Sequence, residues 1–422
     1  MLRPRRLLIP ILVLAFAHGL FFVVAIPPWD LYDEGTHLAY ALVLRDERRI
    51  PHLEEMTRVD IVDSEIATDR WSKFRIGEPD TSSLEAMGLG GRLYQGYQPP
   101  LYYVMIIPAT YLGGDVLGAM YAARMLGPFL LVILTGITWI LARLWFPSSG
   151  DLAPVIAAGI VALTPAAAEA AGRVNNDLLA ATLIAGGIAA ATLLVQRPTL
   201  RRAAGFSALA AGAILVKSHG MLLLVIAAAV AALLWRRGQL TAPVAAMTLL
   251  PGTVVTGFWT AWTWRRYGVL SGPEAFLDFA QPFETMSPGG FGRALTFHTW
   301  SSYWSSYDGG MIETATGLGL LAIVLTGMIA LVWRGGVSLE VAAIAAVAGV
   351  SVLALLWYGN ASGLVYPQGR IILPIMPAVA VLTTGGWSVI ADRRLALIPA
   401  MFALVASVAF LAGWFIPFFI LE

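Results

Sequence analysis

The sequence predicts an all-α, polytopic membrane protein of about eleven transmembrane helices, with one large polar loop after the first of them. Three observations carry this. Of the 422 residues, 58% are hydrophobic and only 13% charged, and the mean hydropathy is +0.75, far above the balance of soluble domains. Eleven apolar segments approach the ~20 residues that a helix rising ~1.5 Å per residue needs to cross a bilayer. Arginines gather at alternate ends of these segments, as the bias of cytoplasmic loops toward basic residues requires.

In order, the segments lie near residues 7–26, 119–145, 151–170, 177–195, 202–217, 220–235, 241–263, 312–333, 338–357, 370–390 and 395–418. The first follows Arg3, Arg5 and Arg6. Its apolar run of ~20 residues exceeds the usual ~7–15 of a signal peptide, so it reads as a retained anchor. Glycine and alanine are dense at 157–171 and 186–191, where small side chains let helices approach closely in lipid. The stretch Pro99 to Gly113 is apolar, but at ~15 residues and with Pro108 inside it falls short of a span. It reads as a re-entrant or interfacial helix. Leaving it out places Arg3, Arg5, Arg6, Arg143, Arg197, Arg201, Arg202, Arg236, Arg237, Arg334, Arg393 and Arg394 on one side. Counting it as a span moves every cluster after Arg6 to the other side. The prediction is therefore a cytoplasmic N-terminus, an outer C-terminus and external loops at 27–118 and 264–311. No 20–50-residue repeat or separate soluble domain is visible, so residues 1–422 read as one membrane domain.

Composition also excludes. A net charge of +1 offers no basic field for nucleic acid. With no cysteine there is no disulfide, thiolate nucleophile, zinc-thiolate site or iron–sulfur cluster. The acid is uneven: 15 of the 26 carboxylates lie between Asp30 and Asp115, and the only lysines are Lys73 and Lys217.

The first loop opens with PPWDLYDEGTHLAY, which places Asp30, Asp33, Glu34 and His37 beside the membrane surface. On a helix Asp33 and His37 are an i, i+4 pair on one face. Adjacent carboxylates with a histidine suit general-base work or a divalent cation, with Glu34 and His37 as the candidate ligands; a solvated loop start with a capping acid is the plainer reading. YQGYQPPLYY at 94–103 brings Gln98 and Tyr102, as interfacial anchors or as part of a site. GRVNNDLLAA at 172–181 sets Arg173, Asn176 and Asp177 in an external turn, where Asp177 also suits a helix cap. Lys217, followed by His219, ends an apolar run. A snorkelling lysine would do this. Against that, the chain uses arginine almost everywhere else, which suggests a specific anionic partner such as a phosphate. FHTWSSYWSSYDGG at 297–310 carries Trp300 and Tyr303, able to stack on a sugar ring or to belt the interface. YPQGRIILPIMP at 366–377 puts Gln368 and Arg370 at the start of a span, Arg370 as a snorkelling residue or a phosphate clamp. Under the topology set by the arginines, all these patches share the external face.

The ordered set DEGTHLAY, QPPLYY, AARMLGPFLL, GRVNNDLLA, AILVKSHG, WSSYW and PQGRIILPIMP resembles the GT-C membrane glycosyltransferases. Within them it is most similar to the protein O-mannosyltransferase and aminoarabinose-transferase-like group, and to related bacterial membrane proteins sharing the QGR-LP ending. The resemblance runs from about residue 28 to 377. It implies transfer of a sugar from a polyprenyl-phosphate donor to a protein, lipid or glycan acceptor on the extracytoplasmic side of the cell membrane. By position, Asp33 would be the catalytic base, and Glu34 and His37 would support it or help hold a cation. Lys217 and Arg370 would hold the donor phosphate, and Arg173 and Asp177 would shape the site. Gln98 stands where the family often has histidine, which leaves the role of that position open. Two competing classes are a transporter or lipid flippase, expected to carry charged groups at the bilayer midplane within repeated halves, and a catalytically inactive subunit of the same fold.

Overall fold

The computed structural model describes residues 5–29, 33–73, 80–147, 152–280, 310–334, 337–362, 369–390 and 397–412. Among them the secondary structure is helical, with one isolated bridge between Met56 and Arg92. The first helix, α1 (Arg5–Ala25), leads into a loop carrying α2 (Glu34–Glu47), α3 (Val59–Ala67), the single turn α4 (Arg70–Lys73) and α5 (Leu101–Thr110). Then follow α6 (Val116–Arg124), α7 (Leu126–Trp145), α8 (Leu152–Leu163), α9 (Pro165–Ala171), α10 (Asp177–Gln196), α11 (Leu200–Val216), α12 (Leu222–Arg236), α13 (Ala242–Tyr267) and α14 (Gly272–Ala280). The last four are α15 (Gly310–Arg334), α16 (Leu339–Ser362), α17 (Met376–Ile390) and α18 (Leu397–Phe410).

A helix occupies each of the eleven predicted segments. Six described stretches are long and apolar enough to cross a membrane, or seven if α8 and α9, bent by 58° to each other, are one span. The chain is an integral membrane protein. The sequence reading took 151–170 as one unbroken helix; the break falls at Pro165, which has no N–H to continue the ladder and whose ring displaces the preceding turn. The stretch at 99–113 is also shorter than expected. Only Leu101–Thr110 is helical, ~15 Å in length, about half a bilayer core.

Helix α7 packs against α1, α8 and α10, while α10 also packs on α11 and α12, and α17 closes against α8 and α15. Two apolar clusters fill the bundle. One, beneath the polar loop, includes Phe22, Ile26, Tyr103, Leu131, Leu178, Val216 and Ile372; the other includes Trp145, Leu194, Phe206, Val230 and Leu382. Hydrogen bonds crossing the first cluster tie together the end of α1, the starts of α2 and α10, and the ends of α6, α9 and α11. These are the helix ends that the alternation places on one side when α5 is not counted as a span.

Close crossings depend on small residues. A Cβ added at Gly127 of α7 would lie 1.9 Å from the carbonyl oxygen of Ala171, and one at Gly386 of α17 would lie 1.9 Å from that of Gly327. The backbones touch there, so dispersion between them replaces the hydrophobic drive that lipid removes. At Gly136, also on α7, nothing lies within 4 Å of an added Cβ. Gly127→Val should therefore lower the thermal midpoint in detergent by an overpacking cost of about 1–3 kcal/mol or more, while Gly136→Val leaves it nearly unchanged.

Candidate active site

The site is organised by a buried ion pair. Glu34 and Arg124 are both fully buried, and the Arg124 guanidinium donates through Nε (2.7 Å) and Nη2 (2.6 Å) to the two Glu34 oxygens. Its remaining donors reach the carbonyls of Val23, Ile26 and Pro27 at 2.8–3.2 Å. The Val174 N–H donates to Glu34 Oε1 at 2.9 Å. One bidentate contact thus joins α1, α2, α6 and the turn before α10. Burial of two charges is tolerated because each satisfies the other and the leftover donors find carbonyls.

Asp33, immediately before, does not continue the helix. Its backbone is left-handed (φ 68°, ψ 11°) and its side chain makes no capping bond, a conformation that aspartate tolerates better than most residues. The i, i+4 face expected for Asp33 and His37 is therefore absent. The backbone bond from His37 N to Asp33 O forms at 2.9 Å, while the two side chains meet different tyrosines, Tyr94 and Tyr103. The Asp33 carboxylate, half-buried, accepts from Tyr94 Oη at 2.6 Å and from Gln95 Nε2 at 3.3 Å, both on the 3-10 turn Tyr94–Tyr97. Burial and the facing carboxylate push the Tyr94 phenol well above its ordinary value, so it remains a donor. His37 Nδ1 lies 2.9 Å from Tyr103 Oη. Tyr40 stacks on Tyr103 and donates to the Gln98 carbonyl at 2.9 Å.

The third part is the turn between α9 and α10 with the end of α11. Lys217 Nζ donates to Asp177 Oδ1, joining two residues singled out from sequence, both partly open to solvent. Asp177 does not cap its helix with its own side chain; Asn175 Oδ1 accepts from the Asp177 N–H at 2.9 Å. Asn176, fully buried, donates through Nδ2 to Val216 O at 3.1 Å and toward Gln98 Oε1 at 3.4 Å. Arg173 is buried with Glu169 at 3.5 Å. Burial, with the Glu34 and Asp177 carboxylates adding to it, pushes the Tyr102 phenol upward. His219 lies in the turn after Lys217, half-buried.

The turn Gly369–Ile375, which carries Arg370, packs against α9 and α10; the Arg370 side chain lies outside the described residues, as do Trp300, Tyr303 and Gln368. For the expected cation, Glu34 turns both oxygens to Arg124 and His37 meets Tyr103. Among the described residues no three His, Asp or Glu side chains gather as a metal-ligating group. Sequence reasoning gave no role to Arg124 or Glu169, and met Tyr94 and Gln95 only as part of the 94–103 patch. The first two carried a usable signal, each being a charge within an apolar or alanine-rich run. For Tyr94 and Gln95 the signal stopped at the patch, since their contact with Asp33 depends on how the loop folds back.

Behind the first turn of α2, Glu65 is buried and paired with Arg70 at 2.5 Å. A Cβ on Gly35 would come within 2.7 Å of its Oε1. Burial, with Glu34 adding to it and Arg70 opposing, pushes the Glu65 carboxyl up to about 7.

The bundle, with the short helices of its first loop packed at one end, shares its fold with solved membrane-protein structures. The crystal structure of ArnT from Cupriavidus metallidurans bound to undecaprenyl phosphate is similar at a TM-score of 0.57 and 17% identity, covering 96% of this chain and 64% of that one. The apo state of the same ArnT gives a TM-score of 0.55 and 19% identity over the same shares. The chain thus spans 64% of the length of these structures, and at such identity the likeness establishes the fold. No protein-family model matches the sequence, nor does any curated protein.

Two outcomes follow from the buried charges. Glu34→Gln or Arg124→Met alone should destabilise by roughly 3–5 kcal/mol, because a charge is left buried without its partner. In thermal unfolding the double variant should lose much less than the sum. For Glu65, the folded pKa of about 7 lies above the ordinary 4.5, so the folded state holds a proton that the unfolded chain releases. Its contribution is full below about pH 4.5 and lost as pH rises through about 7, at most on the order of 3 kcal/mol. Glu65→Gln should flatten the fall in thermal stability between pH 5 and 8.

Proposed function

We propose that the chain is an integral-membrane glycosyltransferase that moves a sugar from a polyprenyl-phosphate donor to an acceptor hydroxyl, with Asp33 as the base. The observation that carries this is the placement of Asp33. A half-buried carboxylate is held by Tyr94 and Gln95 at the same end of the bundle as the Lys217–Asp177 pair. ArnT, which shares the fold, has been crystallised with undecaprenyl phosphate, and that lipid is the natural first donor carrier to try.

In the proposed step the acceptor oxygen forms a bond to the anomeric carbon while its proton passes to the Asp33 carboxylate. The bond from that carbon to the phosphate oxygen breaks, and its electron pair leaves with the lipid phosphate. A single displacement inverts the anomeric centre. Lys217, an ammonium with three donors, offers charge to the leaving phosphate beside its contact with Asp177, and Arg370 and Arg173 are assigned to the same phosphate. Glu34, engaged by Arg124, holds the helix that carries Asp33 and does no proton transfer. Gln98, Tyr102, Asn176 and His219 are assigned to substrate contacts in the same site.

The arginine distribution supports an extracytoplasmic position for this end of the bundle. A transporter would place such charges near the bilayer midplane, whereas here they sit at helix ends. With purified protein and labelled undecaprenyl-phosphate sugars, Asp33→Asn should lower turnover by about 100-fold or more while binding of undecaprenyl phosphate persists. Full turnover by Asp33→Asn would remove Asp33 as the base.

A further inference from the structure

Two carboxamides of the site each have one end fixed by a neighbour and the other end facing no protein donor. The Asn176 Nδ2 points at Val216 O, a carbonyl that can only accept, so the amide cannot be turned round and Oδ1 is held on the opposite side. That oxygen is fully buried and has no protein partner. Gln95 repeats the arrangement: Nε2 donates to the Asp33 carboxylate, again a pure acceptor, which fixes Oε1 away from Asp33. Gln95 is 5% exposed and Oε1 likewise has no protein partner. A buried carbonyl oxygen left unpaired is costly and uncommon, and two of them within one polar cluster call for hydrogen-bond donors.

The location narrows the chemistry. Gln95 adjoins the proposed base, and Asn176 precedes Asp177, the partner of Lys217. Neither oxygen can receive a phosphate or a carboxylate, which bring only acceptors. Both can receive O–H or N–H groups. We infer that Gln95 and Asn176 read hydroxyl or amino groups of the transferred sugar, between the phosphate end and the base end of the site. This rests on the proposed transferase reading and adds to it a requirement: the donor is recognised as a sugar, and not only as a lipid phosphate. Both oxygens are closed to solvent in this structure, so the sugar reaches them by displacing the side chains around them, as a site does when it tightens on its ligand.

Binding separates this inference from its parent. The full-length protein in nanodiscs is titrated with bare undecaprenyl phosphate and with undecaprenyl phosphate carrying glucose, mannose, 4-amino-arabinose or arabinose. The wild type should bind at least one glycosylated lipid more tightly than the bare phosphate. In Asn176→Ala and Gln95→Met that preference should fall about 3- to 10-fold each, the scale of one hydrogen bond, with affinity for the bare lipid kept. A purely structural role would weaken both lipids alike and leave their ratio unmoved, and that result overturns the inference. So does a wild type that prefers no glycosylated lipid, in which case enclosed waters satisfy the two oxygens. Failure to bind either class of lipid overturns the transferase reading itself.

Discussion

A carboxylate and a guanidinium can be buried together only while each satisfies the other, and the pair between Glu34 and Arg124 sets the terms for the rest of this end of the bundle. Arg124 sits at the last residue of α6 and grips the carbonyls that close α1. Glu34 is the first residue of α2 and also receives the N–H of Val174. The ion pair therefore fixes where α2 begins, and the residue before that start is Asp33. The left-handed turn there aims its carboxylate out of the helix and onto Tyr94 and Gln95. The position of the proposed base thus follows from a buried charge pair.

Of the fold, the spans were the most legible part, because apolar length is dictated by the bilayer and written residue by residue. Each predicted span meets a helix, and the choice to leave 99–113 out agrees with the ten-residue length of α5. What escaped was local. The bend at Pro165 was present in the sequence as a proline inside an apolar run, yet apolarity alone read through it. Of the site, Asp33, Lys217, Asp177 and Asn176 were visible as polar residues where an apolar chain had no need of them, and the structure joins Lys217 to Asp177 directly. The same criterion applied to Arg124 would have found the organising pair. Glu34 looked like a second functional acid because adjacency in sequence cannot show that one carboxylate faces a buried arginine and its neighbour a tyrosine. Tyr94 and Gln95 depended on a loop returning over sixty residues to meet Asp33, a closure that no periodicity reports.

The two compositional oddities, acid crowded into one loop and lysine almost absent, acquire a common setting. The loop acids divide by environment. Glu34 is consumed by Arg124, Glu65 by Arg70 and Glu55 by Arg49, and these pairs shape the loop. Asp33 is met by neutral donors instead, the arrangement suited to a group that must take up a proton. Lys217 faces an aspartate at the edge of the same cluster, where a phosphate would find a compact ammonium.

The most direct measurement of the central claim is a cryo-electron microscopy structure of the protein in nanodiscs with undecaprenyl phosphate. The account predicts phosphate density at Lys217, with the Asp33 carboxylate turned toward the same space and the Glu34–Arg124 pair intact beneath it. Phosphate bound at the opposite end of the bundle, or against Lys217 with Asp33 facing away from it, would contradict the account.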